Sequence, residues 1–132
     1  MELIAPVPAP VTDTFIPARE YRDPCWDSGE RERMWPRVWQ MACRVSEIAD
    51  VGQFVAYEIN DESILIVRNG TDPDAISAFY NVCQHRGRRL VDQKSGQLGA
   101  SIVCRFHGWR YSQQGKLDHV YMERDWDDCP SF

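Results

Sequence analysis

The stretches Cys83-Gln84-His85-Arg86-Gly87 and Cys104-Arg105-Phe106-His107-Gly108-Trp109 decide the reading of this chain. Each offers a thiolate and an imidazole within a few positions, and eighteen residues, 86 to 103, separate His85 from Cys104. Four soft-to-borderline donors in two close pairs are what a metal centre requires. Their order says more than their number. A zinc finger usually keeps its cysteines in one pair and its histidines in the other, whereas here every stretch carries one of each. Gly87 lies two residues after His85 and Gly108 directly after His107, where backbone passing close to a centre is expected to have no room for a Cβ.

Outward from these stretches the pattern is β. Ala75 to Asn81 reads as a strand running into the first pair of donors, and Ala100 to Val103 as one running into the second. Two adjacent β-loops can bring four donors to one place. Upstream, Trp39 to Val45 alternates loosely, Gln53 to Ile59 is rich in β-branched and aromatic residues, and Ser63 to Arg68 reads S-I-L-I-V-R. Asn60-Asp61 is a hairpin connection between the last two. Asn69-Gly70, Asp72-Pro73-Asp74 and Gln114-Gly115 supply turn chemistry. Short strands at this spacing predict a small antiparallel all-β fold.

The N-terminal part differs. Pro6, Pro8, Pro10, Pro17 and Pro24 fix too many φ angles for a helix or a paired strand, so residues 1–26 are expected to form an extended arm. A short helix is expected over 27–38, capped by Ser28, with Glu30 and Glu32 in its first turn and Met34, Trp35 and Val38 on an apolar side. Pro36 should end or bend it.

Composition narrows the classes. A chain of 132 residues is one domain of moderate core. A net charge of −5 excludes a general nucleic-acid binder, which needs a basic surface. No apolar run approaches the roughly 18 residues of a membrane span. The first ten residues carry Glu2 and no basic residue, against a secretory signal, and the expected location is the cytoplasm. Five cysteines exclude a complete disulfide framework. Cys25, Cys43 and Cys129 read as free thiols of a reducing compartment.

The arrangement Cys-x-His with Cys-x-x-His, flanked by His85-Arg86-Gly87 and His107-Gly108-Trp109, resembles the Rieske signature. It is most similar to the N-terminal Rieske domain of aromatic-ring-hydroxylating oxygenase large (alpha) subunits. The resemblance covers about residues 14 to 122 and implies three small antiparallel sheets, with a 2Fe–2S cluster held by Cys83 and Cys104 on one iron and His85 and His107 on the other. High-potential Rieske proteins carry an extra cysteine on each loop. Arg88 and Phe106 stand there, so the low-potential branch is the one resembled. The domain is expected over 39–122, followed by an acidic tail, 123–132, that begins a segment cut off at the end of the sequence.

The function implied is one-electron transfer, from a ferredoxin or reductase to the catalytic domain of an oxygenase subunit, with oligomeric assembly possible in principle. No catalytic residue is assigned. A mononuclear oxygenase iron needs two histidines and a carboxylate, and beyond the four cluster donors only His119 remains, read as an exposed surface residue. Two departures from the family stand out: this missing site, and the absence of a proline in Leu117 to Met122, where the family forms a third loop over the cluster. Two other functions compete, a stand-alone Rieske ferredoxin and a zinc-stabilised binding module. The aromatic leader around Trp35 and Trp39 favours the oxygenase. Trp109 and Tyr111 are expected to pack beneath the loops and exclude water. Arg86, Arg88, Arg89, Arg105 and Arg110 crowd the loops of an acidic protein and predict a positive rim for an acidic redox partner, some of them being engaged with Asp92 or the tail.

Overall fold

The computed structural model describes residues 15–122. They belong to two compact units that divide between Val38 and Trp39. The first unit is helical. A 3-10 turn at Glu20–Arg22 precedes α1 (Pro24–Gly29), which continues as a π turn, Glu30–Met34, and a 3-10 turn, Trp35–Arg37. The helix therefore starts before the expected residue 27, and the extended arm cannot run to residue 26. The reason is local. Asp23 accepts a hydrogen bond from the Cys25 N–H at 2.9 Å, and Pro24 occupies the first helical position, where its missing N–H costs nothing. Ser28 lies inside the helix and its hydroxyl donates to Glu32 instead. Chain direction changes after Pro36 as expected, with Val38 extended. The part of the arm over 1–14 and the tail over 123–132 lie outside the described residues.

Among the described residues the second unit holds two antiparallel sheets, where the resemblance implies three for the whole domain. The larger has the order β3-β2-β1-β4, from β1 (Gln53–Ile59), β2 (Glu62–Arg68), β3 (Ile76–Tyr80) and β4 (Ser95–Gln97). The smaller has the order β5-β6-β7, from β5 (Ser101–Val103), β6 (Arg110–Ser112) and β7 (Leu117–His119). The β1–β2 hairpin turns at Asn60-Asp61, with Asn60 at φ 52°, as a two-residue turn requires. The strand expected over 39–45 is absent. That segment is irregular and leads to a 3-10 turn, Val45–Ile48, pinned where the Glu47 carboxylate accepts from the Arg44 N–H at 2.7 Å. No strand among the described residues pairs with it, and it meets β1 through side chains, the Tyr57 hydroxyl reaching Gln40 at 3.4 Å. β4, Ser-Gly-Gln, was not anticipated, because those residues have little β propensity. It forms because Gly96 lets the Phe54 ring lie against it; a Cβ there would stand 3.0 Å from that ring.

One core joins the sheets. Phe54, Leu65, Val67, Leu90, Val91, Ile102, Trp109, Tyr111 and Val120 pack together, and Cys83 and Cys104 belong to the same cluster. Complete burial of side chains such as Leu65 and Val67 stabilises the fold by roughly 1.5–3 kcal/mol each. The buried Arg68 is satisfied by the carbonyls of Ile48, Asp72 and Pro73 at 2.8–3.0 Å. Among the described residues no helix is long and apolar enough to cross a membrane.

Candidate metal centre

The two donor stretches fold into loops of the same backbone form. In the first, the Cys83 N–H donates to the Arg88 carbonyl at 2.8 Å and the Gly87 N–H to the Cys83 carbonyl at 2.9 Å. In the second, the Cys104 N–H donates to the Trp109 carbonyl at 2.8 Å and the Gly108 N–H to the Cys104 carbonyl at 3.0 Å. Both glycines sit at positive φ, 68° and 75°. A Cβ at either would meet no protein atom within 4 Å, and the left-handed conformation that closes each loop is by itself a reason for glycine. The histidines break the correspondence, lying two residues after Cys83 but three after Cys104.

The cysteines point inward and the histidines outward. Cys83 and Cys104 are 1% and 2% exposed, whereas His85 is half-buried and His107 exposed. The imidazoles meet across the loops, ring centroids 4.6 Å apart and edge to face. The buried Trp109 stacks on His85, 4.9 Å between centroids and 8° between planes, while Phe106 leans on His107. Desolvation holds the His85 imidazole below its ordinary pKa, with further depression from the neighbouring His107 and Arg86. It is therefore the neutral, metal-binding form that this position favours.

Tyr111 ties the loops together. Its hydroxyl lies 3.2 Å from the Cys83 sulfur and accepts the Gln84 N–H at 3.0 Å. Burial, then the Cys83 thiol, raises the phenol's pKa, so it keeps its proton. Trp109 and Tyr111 do pack under the loops as expected, and Tyr111 adds a polar contact that the sequence did not disclose. Nothing local signals it, because the partners are 28 residues apart. Asn81 was also missed; its buried amide contacts Ser63, Leu90 and Val91.

The rim of arginines is partly structural. Arg88 forms a two-point pair with Asp92 at 2.6 and 2.7 Å, and Arg89 one with Glu58 at 2.9 and 3.0 Å. Arg110 lies 3.6 Å from Asp118. Among the described residues Arg86 and Arg105 have no ion pair, and both are exposed on the loops. His119 is exposed at the end of β7, away from any set of donors among the described residues.

These donors fit a two-iron centre better than a single ion. No three His, Cys, Asp or Glu side chains among the described residues gather closely enough to hold one metal. Tetrahedral zinc wants four converging donors. A 2Fe–2S cluster asks for only two per iron, the bridging sulfides filling the rest, and buried thiols beside outward imidazoles meet that need.

Fold and donors thus define an iron–sulfur protein of the mixed Cys/His kind. The Rieske [2Fe-2S] domain model matches residues 38–128, and the chain belongs to that family, with a 2Fe–2S cluster as its cofactor. The chain is 38% identical over 105 residues to the carnitine monooxygenase oxygenase subunit of Escherichia coli K12, covering 80% of this chain and 27% of that protein. It is 32% identical over 111 residues to the biphenyl dioxygenase subunit alpha of Paraburkholderia xenovorans, covering 84% and 24%. Among solved structures, naphthalene 1,2-dioxygenase from a Rhodococcus species superimposes with a TM-score of 0.74 at 28% identity, over 83% of this chain and 24% of that one. The chain spans about a quarter of the length of the curated relatives it matches. Electron transfer is the role of a Rieske domain in oxygenase alpha subunits, and of this one.

Proposed function

We propose that this chain is the electron-relay domain of an oxygenase alpha subunit, with Cys83 and Cys104 holding the inner iron and His85 and His107 the outer. The observation that carries the reading is the pair of like-folded loops, each sending a thiol into the core and an imidazole toward solvent. When bound, the cluster supplies one-electron acceptance and donation. The protein's own residues do the rest. Burial among Leu90, Ile102 and Trp109 keeps water from the thiolates. The Tyr111 hydroxyl, its oxygen already accepting from Gln84, donates to the Cys83 sulfur and offsets thiolate charge. Trp109 fixes the plane of His85. His107 and Phe106 remain at the surface, flanked by Arg86 and Arg105, which suits an acidic ferredoxin or reductase as electron donor.

The electrons' destination in this proposal is the catalytic domain of an oxygenase assembly. The aromatic substrate class expected from the sequence is one of two the relatives represent. Carnitine and glycine betaine monooxygenase subunits are 38% and 35% identical, and biphenyl dioxygenase 32%, so the relay domain itself does not select an aromatic ring. Matches over 105–111 residues extend beyond 38–128, which supports an alpha subunit over a stand-alone ferredoxin. The four described cysteines are free of disulfides, in keeping with a reducing cytoplasm. Purified protein should hold about two irons and two labile sulfides and take up one electron per chain. Stoichiometric zinc without sulfide would refute the proposal.

A further inference from the structure

The two ligand loops have the same backbone form but different supports. The second is a true hairpin loop, with β5 and β6 paired at Val103↔Arg110 immediately behind it. The first is entered by β3, yet no strand follows it until β4 begins at Ser95. Residues 88–94 return without a ladder beside β3. Their two ends are tied by backbone, the Arg88 carbonyl accepting the Cys83 N–H at 2.8 Å and the Lys94 carbonyl the Ala56 N–H at 2.7 Å, and between them the polar ties to Leu90 and Val91 come from one side chain. The Asn81 oxygen accepts the N–H groups of Leu90 and Val91 at 3.1 and 3.0 Å, and its amide donates to the Val91 carbonyl at 2.9 Å and to Ser63 at 3.2 Å. The residue is 1% exposed, so every donor and acceptor of the amide is used away from water. At the corresponding place in the second loop, two residues before the cysteine, stands the apolar Ile102, because there the strands do this work. The other side-chain ties on this segment, Arg88–Asp92 and Arg89–Glu58, are exposed ion pairs of small worth.

We propose that Asn81 is the positioning residue of the first ligand loop, its amide standing in for the missing strand and setting how firmly Cys83 and His85 are held. The inference rests on the cluster reading above. Asn81 touches no ligand and acts through the backbone of Leu90 and Val91.

The test compares the 132-residue protein with N81L, N81D and a control of matched melting temperature, I48A, whose side chain is buried outside the core cluster containing the cysteines. Iron release to bathophenanthroline disulfonate is timed, and amide exchange at Leu90 and Val91 is followed by NMR or mass spectrometry. N81L should release iron roughly tenfold faster than I48A, the loss of one to two net hydrogen bonds being worth about that factor. In the parent protein the Leu90 and Val91 amides should be as protected as those of β2. N81D, which keeps the oxygen that accepts from Leu90 and Val91 but loses the donors to the Val91 carbonyl and Ser63, should retain that protection and fall between parent and N81L in iron release. Equal release from N81L and I48A would reduce Asn81 to general stability and overturn the proposal. So would parent Leu90 and Val91 amides that exchange as fast as those of Asp92 and Gln93. Should N81L fail to fold, N81D and the parent exchange pattern decide alone. Protein purified without iron or sulfide would instead refute the cluster reading, while the protection pattern still judges Asn81 on its own.

Discussion

Replacing Tyr111 by Phe removes one hydroxyl and keeps the ring that fills the core. The lost contacts are the 3.2 Å approach to the Cys83 sulfur and the acceptor for the Gln84 N–H at 3.0 Å. A coordinated thiolate carries no proton, so the phenol must be the donor, and its raised pKa keeps it protonated at any ordinary pH. Such a donor stabilises negative charge, and the reduced cluster is the more negative state. Hydrogen bonds to charged groups contribute roughly 1.5–3 kcal/mol. If a third to a half of that distinguishes the reduced from the oxidised state, the difference is about 0.5–1.5 kcal/mol. At about 59 mV per tenfold for one electron, the midpoint potential should fall by roughly 20–65 mV. Spectroelectrochemical titration of both proteins, with iron and sulfide content checked as equal, measures it. An unchanged or higher potential in Y111F with an intact cluster would show that the phenol does not donate to the sulfur.

Three further outcomes follow from the surface and the turns. Charge reversal at Arg86 or Arg105 should slow reduction by an acidic ferredoxin several-fold at about 0.05 M salt, with the effect fading near 1 M as the Debye length shrinks to about 3 Å; stopped-flow rates indifferent to both variants would deny a docking role. Reversal at Arg89, already paired with Glu58, should slow it less. The Glu58 carboxyl is held below the usual carboxylate range, chiefly by the Ser63 hydroxyl and then by Arg89. Its contribution to stability is therefore present above the unfolded carboxylate pKa of about 4.3 and is lost as pH falls through the lower folded value. The melting-temperature gap between parent and E58Q should accordingly be open at pH 7 and close below about pH 4, and a gap constant across that range would contradict the pairing. Gly115 sits at φ 80° with the Phe79 ring where a Cβ would go, 2.6 Å away, so G115A should cost about 1–3 kcal/mol in chemical denaturation; a neutral result would mean that the β6–β7 turn does not press on Phe79.

What the sequence disclosed and what it hid divide along physical lines. The β1–β2 hairpin was legible because alternation and an Asn-Asp turn act over adjacent residues. The two donor loops were legible because the spacing of cysteine, histidine and glycine is local to each. The helix start was misplaced because Ser28 and Asp23 are both competent caps, and only the following Pro24 tips the balance. Alternation over 39–45 misled because it reports two faces, not a partner, and the exposed Trp39 and Met41 show that no described strand covers one. Tyr111, Asn81 and the pairing of Arg89 with Glu58 stayed hidden because each joins residues brought together only by the sheets. The sequence showed five arginines and an expected engagement with Asp92, which Arg88 makes, while the pairings of Arg89 and Arg110 needed the fold.

The assignment of Cys83 and Cys104 to one iron and His85 and His107 to the other is tested most directly by pulsed electron paramagnetic resonance of the reduced protein labelled with nitrogen-15 at histidine. The account predicts two strongly coupled and inequivalent histidine nitrogens, one lost in H85C and the other in H107C, each variant also shifting the potential downward as an anionic ligand replaces a neutral one. A signal with no strongly coupled nitrogen, or one unchanged by either replacement, would contradict it.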